Sequence, residues 1–389
     1  MKNVVLSLIL AAGMGLLALG SAQQLTVLGP WAGEEEAQFT PVLEAFEEQT
    51  GISVEYRTFR SEDLADTLPA QFGAQRTIGD VIFLWEWWIL ENTEHAVDVT
   101  DIVADVPFVE GAAPEAIDGT YYYGSYVMAA KPGFWYRQSF FDEHGLTPPE
   151  TWDEFEALLG DIQAIDGVDS AIASGNGVGW PLTDITEHFL ITFGGPELQL
   201  DLIEGTVDWQ SDEVRSIFEE QLIPLLEAGY FSDPIEWTSA VDLWWRGDHG
   251  LYFMGNWITG MVEDPDDLAV FTLPGAEGYV GAPDNMFIPR YSENVEEARE
   301  LMAFMLSREG TELRSAQGGK LSMREDVGAE HYPPAEQSLA EALAGLQILP
   351  DLDDTIGGGW QSTFWDQLKL LWVQPDALDD VLRNLDEAR

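Results

Sequence analysis

The chain has 389 residues, 46% hydrophobic and 12% aromatic, enough to build large cores in one big domain or two smaller ones. Its 17 Lys+Arg stand against 70 Asp+Glu, a formal net charge of −53, and this argues against nucleic acid or anionic membrane as partners, because both bind through basic patches. Such self-repulsion opposes compaction unless salt screens it, so the excess reads as the mark of a saline habitat or of a solubility requirement.

The first 22 residues read as a secretory signal peptide: Lys2, an apolar run from Val4 to Leu19, then Gly20-Ser21-Ala22, with cleavage expected after Ala22. There is no Cys, so neither disulfides nor a lipid-anchoring cysteine are expected. A free periplasmic or otherwise extracytoplasmic monomer fits best.

After the signal, Leu25 to Leu28 form a short apolar strand that stops at Gly29-Pro30. Phe39, Val42, Leu43 and Phe46 then recur at helical spacing up to Gly51, with Pro41 implying a kink or a regular part that begins there. "GISVEY" is a second strand, "SEDLADTLPAQFGAQ" a second helix and "DVIFLW" a third strand. If strand alternation continues, Trp85 and Trp87 point one way, Glu86 and Trp88 the other. Alternating strands and helices predict an α/β fold with a parallel, doubly wound sheet.

Further on, "GTYYYGSYVMAAKPGFWYRQSFFDEHG" is aromatic and extended. Thr151 and Glu154 make a capping box ahead of a helix whose apolar face is Phe155, Leu158, Leu159 and Ile162. Amphipathic helices are expected over 213–227 and 295–306, with strands in "HGLYFMGNW" and "NMFIPR". No tandem repeat or low-complexity linker marks a domain break.

Most chemical motifs fail on spacing. His95, His144, His188, His249 and His331 are scattered, which leaves no helical metal pair. "DPDD" and "DLDDT" lack the spacing of a calcium loop and read as solvated turns. "SGNGVGW" has the wrong spacing for a dinucleotide fingerprint and continues into Trp180-Pro181 instead of a helix start; "GGKL" lacks the rest of a phosphate loop. No cofactor, metal or nucleophile is called for, although paired carboxylates for glycoside hydrolysis stay open in so acidic a chain.

Fifteen Trp stand out, many at element ends beside Gly, Pro or a polar residue. A sugar ring offers apolar C–H faces to an aromatic platform and a rim of hydroxyls to carboxylates and amides. Trp31 with Glu34, Trp85 with Glu86, Trp180 with Asp184, and Trp257 with Asn256 each supply that pairing. Trp360, in "GGGWQS", is a further loop indole.

The colinear order of "LTVLGPWAGEEEAQFTPVLEAFEEQTGISVEY", "DVIFLW", "YYYGSYVMAAKPGFWYRQSFFDEHGLTPPETWDEF", "WWRGDHGLYFMGNW", "YSENVEEARELMAFMLSREG" and "GGKLSMRED" resembles the family 1 extracellular solute-binding proteins, the carbohydrate-binding subunits of ABC importers that include the maltose-binding proteins. The resemblance implies a two-lobed periplasmic-binding-protein fold of type II, with hinge crossovers and closure on a sugar between the lobes. By that analogy residues 23–126 and 283–322 form the first lobe, and 127–282 and 323–389 the second with its hinge-packing helices. It also implies ligand contacts from Trp31, Glu34, Glu35, Trp85, Glu86, Tyr126, Trp180, Asp184, Asn256 and Trp257, with Asp284, Asn285, Trp360 and Arg60 as further candidates. The first loop has Trp-Ala-Gly-Glu where maltose-binding members often have Lys and Asp, so the particular sugar does not carry over.

The expected function is therefore non-catalytic capture of an oligosaccharide, an α-glucoside for instance, for delivery to membrane permease subunits. A secreted glycoside hydrolase or lectin is the alternative. Iron or a polyamine on the same fold is a third reading, but Tyr121, Tyr122 and Tyr123 alternate faces in a strand and do not all converge.

Overall fold

The computed structural model describes residues 24–109, 111–177 and 179–389, so the expected signal peptide, residues 1–22, lies outside the described residues. Among them no helix is long and apolar enough to cross a membrane. The strands are β1 Gln24–Gly29, β2 Ser53–Thr58, β3 Val81–Leu84, β4 Gly124–Lys131, β5 Gly133–Arg137, β6 Ser170–Ala173, β7 Gly175–Asn176, β8 Ile235–Glu236, β9 His249–Met254, β10 Leu268–Phe271, β11 Gly278–Phe287, β12 Leu321–Ser322 and β13 Gln347–Leu349. A first sheet has the order β12-β4-β11-β3-β1-β2, with β13 on β11; a second has the order β10-β5-β9-β6.

The parallel core predicted from strand and helix alternation is β2-β1-β3, to which β11 and β4 add antiparallel. Alternation sorts the side chains. Leu25, Val27, Val81 and Phe83 face the buried stripe Phe39, Val42, Leu43 and Phe46 of helix α1, Glu34–Thr50, while Leu28, Ile82 and Leu84 face Leu64, Leu68 and Phe72 of helix α2, Ser61–Gly73. Helix α1 begins at Glu34 and runs through Pro41. Three acidic residues in its first turn favour the positive end of the helix dipole, and Pro41 forgoes one backbone hydrogen bond. Gly51 ends it in the left-handed conformation, as the periodicity predicts.

The second lobe packs its sheet under helices that include Trp152–Gln163, Trp180–Glu204 and Gly358–Val373. The Thr151 capping box is formed, with Glu154 N donating to Thr151 Oγ1 and Thr151 N to Glu154 Oε2, both at 3.2 Å. Contrary to the expectation from the sequence, Trp180-Pro181 opens a helix: proline at the first turn forgoes only an N–H that has no intrahelical partner.

Two crossovers join the sheets. Strand β4 passes through Pro132 into β5, and β10 leads into β11. They touch at Gly133, whose φ is 140° and where a Cβ would stand 2.3 Å from the Phe271 carbonyl oxygen, so only glycine fits. The expected breaks after 126 and 282 fall inside β4 and β11, which stay in the first sheet to Lys131 and from Gly278.

Candidate functional site

Parallel neighbours β1 and β3 pair Val27 with Val81 and Leu28 with Ile82, so their carboxyl ends finish side by side. From those ends the chain enters Trp31-Ala32-Gly33-Glu34 and Trp85-Glu86, the edge at which open α/β sheets hold ligands. A cavity of about 240 Å³ lies there, lined by Ala32, Glu34 and Glu35 of the first lobe and by Trp237, Trp257, Gly260 and Met261 of the second.

The second-lobe wall is aromatic. Trp257 lies in a tight turn after β9, Trp237 opens the helix Trp237–Arg246, and Trp180 opens the helix Trp180–Glu204. The Trp180 ring meets Trp237 at 5.4 Å and Trp257 at 5.7 Å, both edge-to-face, the arrangement that π quadrupoles favour. All three indoles are half-buried.

Lys320 closes the first-lobe side. Its Nζ is 3.4 Å from Glu35, 3.3 Å from Asp284 and 5.7 Å from the Trp257 ring centroid, within cation–π range. Burial pulls its pKa down, but Asp284 and Glu35 outweigh this and hold it above the usual lysine range, so it stays charged. Gly319 brings it there with φ 76°, and a Cβ at that position would come within 2.3 Å of Gln38 Oε1. Two carboxylates and two indoles thus face one small cavity, with the buried Lys320 ammonium behind Glu35 and Trp257.

Of the residues expected to contact ligand, Glu34, Glu35 and Trp257 line this cavity, Asp284 lies beside it and Trp180 backs it. Trp85 and Glu86 lie further along the same sheet edge. Strand β3 stops at Leu84 and helix α3, Glu86–Glu91, replaces the expected strand alternation, so Trp88 turns into the core while Trp85 stacks on the exposed Trp87 at 5.7 Å. Glu86 accepts a hydrogen bond from the buried Tyr123 hydroxyl, which itself accepts from Glu115 N at 2.6 Å. Arg60 precedes α2 and is exposed.

Other expected contacts are elsewhere. Trp31 is 2% exposed and packs on Phe39 and Phe83, and Tyr126 is buried in the same cluster, because the side chains above β1 and β3 close over the turn. Trp360 is not in a loop. It sits in the helix Gly358–Val373, stacked near Trp209 and Phe364, and donates from Nε1 to the Leu385 carbonyl at 3.1 Å. Asn256 is wholly buried and clamps the Trp257 turn to β4, accepting from Ala130 N at 3.0 Å and donating to Met128 O at 3.3 Å. Asn285 is buried against Ser125.

Asp184 is also buried, 2.5 Å from the Lys131 ammonium, which also pairs with Asp351. Burial is the main cause that raises its carboxyl to about 7, against the pull of Lys131. Asp351 and Asp353 belong to "DLDDT", expected as a solvated turn, yet both are buried. Asp184, Glu187 and Asp351 each place one carboxylate oxygen within 4.8 Å of the others.

Trp237, Lys320 and Lys131 are the residues that sequence reasoning missed. Each carries a signal: an indole one residue after a helix-capping Glu236, a lysine after two glycines, and a lone charge in the apolar run "VMAAKPGF".

Two lobes, two crossovers and a ligand-sized cavity between them define a hinged solute-binding protein. The chain belongs to the bacterial extracellular solute-binding protein family, whose sequence pattern matches residues 31–312. It is 52% identical over 368 residues to an uncharacterized ABC transporter extracellular-binding protein of Pyrococcus horikoshii, covering 93% of this chain and 87% of that one. Its fold matches the bacterial solute receptor AcbH, described as having an exclusive preference for β-D-galactopyranose, with TM-score 0.82 at 16% identity over 94% of this chain and 98% of that one. It also matches RafE in complex with raffinose, with TM-score 0.76 at 20% identity over 94% and 98%.

Proposed function

We propose that the chain is the non-catalytic, exported sugar-capturing subunit of an ABC importer, which closes its two lobes on a sugar and presents it to membrane permease subunits. One observation carries this reading: the cavity is lined from both lobes, with indoles on one side and carboxylates on the other. The sugar's C–H face packs on Trp257 and Trp237, its hydroxyls donate to Glu34 and Glu35, and Lys320 holds Glu35 in place from behind. At about 240 Å³ the cavity matches one sugar ring, so an oligosaccharide enters by one terminal unit and its remaining rings extend along the sheet edge toward Trp85. The P. horikoshii relative's name supports the importer, and the AcbH and RafE ligands support the sugar.

Opening turns on the crossovers. We place the lobe boundaries near the expected ones, with Pro132-Gly133 and the segment between β10 and β11 taking up the rotation. Titration calorimetry against galactose, glucose, maltose and raffinose, with chromatography of the mixtures afterwards, tests the reading. Saturable binding near micromolar, about −8 kcal/mol, with the sugar recovered intact is expected. Silence toward every sugar contradicts the ligand, and hydrolysis would favour the glycosidase alternative.

A further inference from the structure

Behind the Trp180 indole, three distant segments meet: Lys131 at the end of β4, Asp184 and Glu187 on one face of the helix Trp180–Glu204, and Asp351 to Asp354 near the C-terminal helices. We propose that this junction is a calcium site in which Asp184, Glu187, Asp351 and the Gln199 side-chain carbonyl are the ligands. It is distinct from the sugar cavity and does not rest on the sugar reading.

The first argument is charge. Asp184, Glu187, Asp351 and Asp353 are all at least nine-tenths buried, with Asp354 beside them, and Lys131 is the ammonium among them. Burying a carboxylate without a counter-charge is costly, and one lysine neutralises one of them.

The second is unmet hydrogen bonding. Asp184 Oδ2, Glu187 Oε1 and Gln199 Oε1 are buried with no hydrogen-bond partner. The remaining groups on the same side chains are engaged: Asp184 Oδ1 faces Lys131, and Glu187 Oε2 accepts from Gln199 Nε2 at 2.5 Å and Leu352 N at 2.8 Å. Gln199 is fully buried and its amide nitrogen lies against Glu187, which puts its orphan amide oxygen next to the carboxylates and makes it the candidate fourth ligand. All three orphans are acceptors, so the junction lacks positive charge and not a further acceptor.

The third is geometry. Carboxylate oxygens within 4.8 Å of one another span about the diameter of a calcium shell, whose ligands stand about 2.3–2.6 Å from the ion. Oxygen donors from carboxylates and an amide suit a hard cation, and an irregular set suits calcium better than the stricter octahedron of magnesium. Lys131 keeps its place on the other oxygen of Asp184. Since Asp184 lies one helical turn after Trp180, and Lys131 Nζ is 5.9 Å from the Trp180 ring, the ion braces the helix end that carries a cleft indole.

The test is calcium equilibrium dialysis of the chelator-stripped full chain in molar NaCl, which suppresses weak surface uptake, with thermal unfolding in parallel. Saturable binding of one calcium is expected, with a Tm that rises with calcium but not with NaCl of matched ionic strength. Glu187→Gln, which keeps the side chain's shape, weakens binding about tenfold or more, as does Gln199→Met, which removes only the amide. Circular dichroism checks that both variants fold. No saturable binding by the wild type, or identical calcium uptake by folded Glu187→Gln, overturns the proposal.

Discussion

Trp31 and Trp257 each come a short turn after a buried strand, and both have polar residues close by in the chain, yet one ends in a core and the other at a cavity. Trp31 is held by its backbone: its N–H donates to the Tyr56 hydroxyl at 2.9 Å and its carbonyl accepts from Thr58 at 3.0 Å, both on the neighbouring β2. That pins the turn over β1, and the ring fills the space between Phe39 and Phe83. Trp257 is held by the residue before it, because Asn256 grips the backbone of β4 and the ring projects between the lobes toward Lys320. The two indoles have similar surroundings in sequence. The anchors of their turns differ, and the anchor decides between stability and binding.

The contrast can be broken by mutation. The largest effect is expected from Trp31→Ala, which opens a cavity in the first-lobe core and costs about 3–5 kcal/mol of stability in urea unfolding; a loss under about 1 kcal/mol would mean that Trp31 is not a core residue. Lys320→Met comes next, at about 1–3 kcal/mol, because it leaves Glu35 and Asp284 facing each other, and it weakens ligand binding as well. For Trp257→Ala the loss is in affinity: about tenfold or more, about 1.4 kcal/mol, by calorimetry, with the fold kept.

Salt separates the two regions in another way. With a net charge of −53, Tm should rise between dilute buffer and molar NaCl, whereas affinity for a neutral sugar changes by less than about twofold. A flat or falling Tm removes the saline-habitat reading, and a steep fall in affinity points to a cationic ligand such as a polyamine. The smallest effect belongs to Trp87→Ala: 47% exposed and stacked on Trp85, it should alter stability by about 0.5 kcal/mol or less.

Local signals carried much of the first lobe. The short apolar strand Leu25 to Leu28 and the helical spacing of Phe39, Val42, Leu43 and Phe46 are near-neighbour patterns that appear where they were expected, as does the Thr151–Glu154 capping box in the second lobe. The cleft was harder to read because its groups are far apart in sequence. Lys320 reaches Glu35 from near the opposite end of the chain, and nothing next to Trp360 announces that Trp209 will cover it. Burial of "DLDDT" depends likewise on Lys131 and the helix Trp180–Glu204, both far earlier in the chain.

The central claim is that the ligand lies against Trp257 and not against Trp31. Parallel calorimetric titrations of the wild type, Trp257→Ala and the volume-sparing Trp31→Phe with the sugar that binds best test it most directly. The account predicts that Trp31→Phe keeps wild-type affinity within about twofold while Trp257→Ala loses about tenfold or more. Retained affinity in Trp257→Ala together with a loss in folded Trp31→Phe would contradict it.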